Sequence, residues 1–143
     1  MRNVLIAFDG SDSARRALQY VIDAKGETQG LQVVHLLNVQ QEPIMFGEYV
    51  TVQMIDQMTR DFLEKGAAIL KEASERLVAA GLTAETHVVL GNVAEQVREA
   101  VARLGCDTVI MGTRGLGSLR GLLLGSVATQ VIHEVPVPVL LVK

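Results

Sequence analysis

Asn3-Val4-Leu5-Ile6-Ala7-Phe8-Asp9-Gly10-Ser11-Asp12-Ser13-Ala14-Arg15-Arg16-Ala17-Leu18-Gln19-Tyr20-Val21-Ile22 changes its hydrophobic period once, at a short polar turn. Asn3 to Phe8 is a run of strand length, and Gly10-Ser11-Asp12-Ser13 supplies a turn and a helix cap. Ala14, Ala17, Leu18, Val21 and Ile22 then recur at i, i+3, i+4, i+7 and i+8, the spacing of one helix face. A strand, a tight turn and an amphipathic helix form the first half of a strand–helix–strand unit.

The pattern repeats outward from this stretch. Strand-length apolar runs alternate with segments of helical period, which specifies a parallel sheet with helices on both faces. A second strand is predicted over Leu31 to Val39, apolar nearly throughout as burial on both faces requires. After a longer connection, Gln40 to Thr51, a helix over Val52 to Ala80 places Met58, Phe62, Ile69, Ala73 and Leu77 on one side. Gly81 ends it as a left-handed cap. A third strand, Thr83 to Leu90, carries polar Thr83, Glu85 and His87 at alternate positions and belongs near an edge. Asn92 and Glu95 resemble a capping box opening a helix with Ala94, Val97, Val101 and Leu104 inward, until Gly105. A short fourth strand, Asp107 to Met111, leads through a glycine-rich run to a helix over Ser126 to His133. Pro136 stops that helix, and Val137 to Val142 is the last strand. The expectation is five strands and four helices in one domain spanning residues 1–143.

Composition narrows the function. The chain has 143 residues, 49% of them hydrophobic, enough to bury a core without disulfide or metal staples. A single cysteine, Cys106, allows no intrachain disulfide and reads as a small packed residue. The apolar run from Val4 is cut off by Asp9, too short for a signal peptide. No stretch approaches the roughly 20 apolar residues of a membrane span. A cytoplasmic protein is expected. A net charge of −3 with scattered signs, and 3% aromatic residues without Trp, provide neither a phosphate-binding patch nor stacking platforms, so nucleic acid is not an expected partner. His35, His87 and His133 fall on separate elements without metal-ligand spacing and read as structural. Met45, Met54 and Met58, in and after the long connection, read as ordinary packing.

Ligands of open parallel sheets bind beyond the carboxyl ends of strands, where neighbouring connections leave for opposite faces. With the first strand central between the second and fourth, the turns Asp9-Gly10-Ser11 and Gly112-Thr113-Arg114-Gly115 meet at one crevice. The run continues through Gly117, Arg120 and Gly121 to Gly125-Ser126. Glycines let backbone N–H groups approach an anion, and the helix starting at Ser126 and Val127 offers free N–H groups and a positive dipole end. Arg114 and Arg120 add charge. This chemistry suits a polyphosphate and supplies no side-chain nucleophile. A P-loop is excluded because no Lys precedes Ser126. A dinucleotide fingerprint fails because its third glycine would fall on Arg120.

Gly112-x-x-Gly115, nine residues, then Gly125-Ser126 resembles the ATP-binding signature of universal stress proteins, G-x-x-G-x9-G-(S/T). The opening Val4 to Ser11 and the closing Val135-Pro136-Val137-Pro138-Val139-Leu140-Leu141-Val142 also resemble that family, so the likeness covers the chain. It implies an open, Rossmann-like sheet of the adenine nucleotide α-hydrolase type, in order 3-2-1-4-5. It also implies ATP, and a bound triphosphate is commonly accompanied by Mg²⁺ or another divalent ion. Asp9 and Ala7 would lie near ribose and adenine, and Val39 would contact adenine through its backbone. Gly112, Gly115, Gly125, Ser126 and Val127 would surround ribose and phosphates, with the Gly115–Gly125 loop folded over the phosphates. Asp9 also reads simply as a cap of its own turn.

Alternating Val137, Val139 and Leu141 on an edge strand invite pairing, and Pro138 suits an edge. The resemblance implies a two-fold homodimer through Val137 to Val142. The expected function is a nucleotide-dependent regulator with at most slow hydrolysis, since few groups are present to orient water. Three other readings stand beside it. An enzyme splitting ATP between the α- and β-phosphates would use S-G-G-x-D-S, whose first Ser-Gly pair is replaced here by Phe8-Asp9. A phospho-acceptor domain would need an Asp where the chain has Leu90-Gly91-Asn92. A ligand-free dimerisation module of the same fold is the third.

Overall fold

The computed structural model describes residues 1–41, 47–115 and 124–143. The elements run β1 (Asn3–Ala7), α1 (Asp12–Asp23), a 3₁₀ turn (Ala24–Gly26), β2 (Val33–Gln40), α2 (Val52–Ala79), β3 (Ala84–Leu90), α3 (Val93–Leu104), β4 (Thr108–Gly112), α4 (Ser126–Glu134) and β5 (Val139–Val142). The five strands form one sheet in the order β3-β2-β1-β4-β5, and every pairing is parallel. The order and the element count match the sequence expectation. Strand boundaries differ by at most about two residues at an end, where pairing rather than side-chain type sets the limit.

Successive strand residues point to opposite faces, and the two cores follow from that alternation. Val4 and Ile6 of β1, with Val34 and Leu36 of β2, pack against Ala14, Ala17, Leu18 and Val21 of α1 and Leu70, Ala73 and Leu77 of α2. Leu5, Leu37, Val109 and Met111 pack instead against Ala94, Val97 and Val101 of α3 and Ala128 and Val131 of α4. Each fully buried Leu, Ile or Val contributes about 1.5–3 kcal/mol relative to exposure. β1 is thus held from both sides and its carboxyl end becomes a fixed platform.

The expected face of α2 needs correction. Ala73 and Leu77 are buried, but Gly66 and Leu70 complete the buried stripe, while Met58, Phe62 and Ile69 are only half-buried. Gly66 explains the shift: a Cβ there would stand 2.3 Å from Val88 Cγ1 and 2.8 Å from Asn38 Oδ1. The helix backbone therefore rides directly on β2 and β3. Its first turns project past the core, leaving Val52 and Met54 exposed, so Met54 is not the packed residue expected. Met45 lies outside the described residues.

Helix ends follow the sequence signals. Asn92 Oδ1 accepts from the Glu95 N–H at 3.1 Å, and Gly81 adopts φ 76° just past α2. Among the described residues, no helix is long and apolar enough to cross a membrane.

Candidate functional site

α1 leaves β1 toward one face of the sheet and α4 leaves β4 toward the other. Between the two departures the chain cannot fill the space, and a crevice of about 690 Å³ opens over the carboxyl ends of β1, β2 and β4. Ala7, Asp9, Val39, Gly112, Arg114, Gly115, Gly125, Ser126 and Val127 all line it. Every described residue selected from the sequence is thus in one place. Gly117, Arg120 and the middle of the glycine-rich loop lie outside the described residues.

The crevice is built by stitching two turns together. Asp9 Oδ1 accepts the Ser11 N–H at 2.9 Å, an Asx turn that Gly10 completes with φ 80°. Ser11 Oγ accepts from the Ala14 N–H at 3.3 Å, capping α1, and donates to the Arg114 carbonyl at 3.3 Å. The Ser13 hydroxyl donates to the same carbonyl. On the far side, Thr113 N–H bonds the Val142 carbonyl at 2.9 Å and its carbonyl accepts from Gly125 N–H at 2.7 Å. The loop after β4 therefore departs and returns at one point, with Arg114 carried outward and exposed.

The three described signature glycines serve by lacking a Cβ, since none of them has a positive φ. A Cβ on Gly112 would lie 2.2 Å from Ser13 Oγ and 2.7 Å from the Ser13 carbonyl carbon. That glycine is required where α1 crosses β4, so it shapes the crevice through packing. A Cβ on Gly115 would stand 3.1 Å from Asp9 Oδ2, and one on Gly125 3.2 Å from the Thr113 carbonyl oxygen. Asp9 thus caps its own turn through Oδ1, while Oδ2 faces the glycine loop.

The walls differ in chemistry. Ala7, Leu37, Val39, Met111 and Val93 make an apolar side, and among the described lining residues only Asp9 and Arg114 carry charge. α1, α2 and α3 are capped by the side chains of Ser11, Thr51 and Asn92, whereas α4 starts at Gly125 with no side chain to cap it. Ser126, Val127 and Ala128 of its first turn line the crevice, and because the first N–H groups of a helix have no partner within it, an anion is their natural cap. Leu37, Met111 and Val93 were not singled out from the sequence. Leu37 lies within β2, Met111 within β4 and Val93 at the start of α3, so their meeting at one crevice depends on sheet order, which local sequence pattern does not carry.

His35 and His87, on separate elements, meet in the sheet. Parallel pairing sets His35 beside Glu85 and Leu37 beside His87, gathering His35, Glu85 and His87 on one patch of sheet away from the crevice.

These features define an open parallel α/β domain with a preformed, anion-favouring crevice at its switch point. The family model described as the universal stress protein family matches residues 1–143, and the chain belongs to that family. A universal stress protein of Thermus aquaticus, from the region 3′ of a QAH/OAS sulfhydrylase, is 34% identical, with 99% of this chain and 98% of the relative covered. The structure of hypothetical protein MJ0577 is similar with a TM-score of 0.83 and 28% identity, covering 99% of this chain and 95% of that one. A universal stress protein solved in complex with cAMP is similar with a TM-score of 0.66 and 26% identity, covering 99% and 96%.

Proposed function

We propose that this chain binds ATP in the crevice and acts as a nucleotide-dependent regulator in a stress response, turning ATP over slowly at most. The observation that carries the reading is the convergence of the described G-x-x-G…G-S residues, Asp9 and the uncapped start of α4 on one cavity. Its volume of about 690 Å³ falls in the range of small-molecule sites. The apolar wall with Ala7 and Val39 suits a purine base, and the Asp9 carboxylate suits ribose hydroxyls. The Gly112, Gly115, Gly125, Ser126 and Val127 backbone with Arg114 suits phosphates. The cAMP complex of a relative supports an adenine nucleotide as the ligand class.

Asp9 is the only carboxylate among the described lining residues. Mg²⁺ binds through one or two carboxylates, substrate phosphates and retained waters, so the ion would travel with the triphosphate and take no dedicated protein cage. The same scarcity of acid–base groups argues for binding with slow turnover.

The site test is to denature freshly purified protein, identify any released nucleotide, and titrate the apo protein with ATP and Mg²⁺ by calorimetry. ATP released or bound by wild type and lost in Gly115→Val supports the reading. A folded wild type that neither carries nor binds ATP removes it.

Assembly forms the second part of the proposal: a homodimer through Val137 to Val142. β5 ends the sheet, its outer edge has no strand beside it among the described residues, and its four side chains are half-buried. Pairing with a second copy satisfies that edge. Sedimentation equilibrium checks this directly, and a monomer at micromolar concentration refutes it.

A further inference from the structure

His35 Nδ1 lies 3.1 Å from His87 Nε2 and 3.3 Å from Glu85 Oε2, and the last two atoms are 3.9 Å apart. Two ligand atoms on one tetrahedral zinc, at bonds of roughly 2.0–2.1 Å, are about 3.3–3.4 Å apart. The His35–His87 and His35–Glu85 edges are close to that, the Glu85–His87 edge at 3.9 Å is longer, and the point equidistant from the three corners is about 2.0 Å from each, by the same three separations. An ion placed there, slightly out of plane, reaches all three donors without moving either strand.

We propose that His35, Glu85 and His87 form a Zn²⁺ site that clamps the edge strand β3 to β2.

The fold prepares this arrangement. Pairing of His35 with Glu85 fixes one edge of the triangle, and the two-residue step from Glu85 to His87 fixes another on the same face. His35 is buried beside the core under α3, so its ring is held by packing. His87 faces a groove lined by Gln96, Glu99 and Arg103 of α3. The Glu85 side chain is 54% exposed, which leaves an entry path and a fourth position for water. Without metal, one ring proton lies between His35 and His87. On binding it moves to the opposite nitrogen of the ring that carries it, and both facing nitrogens donate to the ion. Two imidazoles and one carboxylate suit zinc, whereas Mg²⁺ prefers oxygen donors.

The test uses full-length protein freed of metal by chelator and titrated with Zn²⁺ alone, then Co²⁺ alone, by calorimetry and visible absorption. The expected result is one ion per chain, a four-coordinate Co²⁺ spectrum bleached by Zn²⁺, no response to Mg²⁺, and a Tm raised by Zn²⁺. Glu85→Gln and His87→Gln, both at an accessible edge and checked for folding by circular dichroism, should weaken Zn²⁺ by ~100-fold or more, while His133→Gln binds as wild type. Zinc binding that survives both folded variants, or an absence of stoichiometric binding in wild type, overturns the proposal.

Discussion

Gly112→Ala and Gly115→Val should separate a glycine that builds the crevice from one that serves its ligand. An added Cβ at Gly112 falls 2.2 Å from Ser13 Oγ and 2.7 Å from Ser13 carbon atoms, including backbone. The Ser13 hydroxyl is bonded to Arg114 and the residue is buried at the start of α1, so the helix end itself must move. Overpacking of this kind costs about 1–3 kcal/mol, only partly offset by the ~0.4–1 kcal/mol gained from a stiffer unfolded chain. For a domain of this size Tm should fall by up to roughly 10 °C. At Gly115 the backbone is exposed, and the added Cβ meets Asp9 Oδ2 at 3.1 Å. Gly115→Val should therefore stay within about 0.5 kcal/mol of wild type in stability while losing at least ~10-fold in ATP affinity. Urea unfolding and calorimetric titration of both variants read the two quantities. A Gly112→Ala protein as stable as wild type, or a Gly115→Val protein with wild-type affinity, refutes this assignment of roles.

Gly66→Ala should destabilise by about 1–3 kcal/mol, because its Cβ would stand 2.3 Å from Val88 Cγ1 and neither α2 nor β3 can yield alone. Hydrogen exchange should quicken first in β3, and unchanged exchange there would count against the close helix–sheet contact. Burial, with a further push from Asp107, raises the Cys106 thiol from its ordinary 9.0 to about 11. Folding thus favours the protonated thiol: that contribution is complete below pH 9.0 and is lost as pH rises through about 11. Native Cys106 should resist alkylation near pH 9 while the urea-unfolded chain reacts, and equal rates would show that the thiol is not shielded.

The sequence by itself determined the element order, the parallel sheet and the location of the crevice. Those follow from local signals: a change of period from strand to helix after Phe8, caps at Ser11 and Asn92, and glycines clustered between Gly112 and Gly125. Sheet topology brought Asp9 to that crevice, and the resemblance to universal stress proteins added Val39. Tertiary structure decided what depends on register and close approach. Only laying α2 on Val88 shows why residue 66 is glycine, and only the crossing of α1 over β4 shows that Gly112 also has a packing role. His35 and His87 have no metal-ligand spacing in sequence. Parallel pairing of β2 with β3 brings residues about fifty positions apart to within 3.1 Å. Periodicity records which face a side chain takes, but which neighbour it meets there is set by strand register, and register is fixed only when the whole sheet closes on its helices.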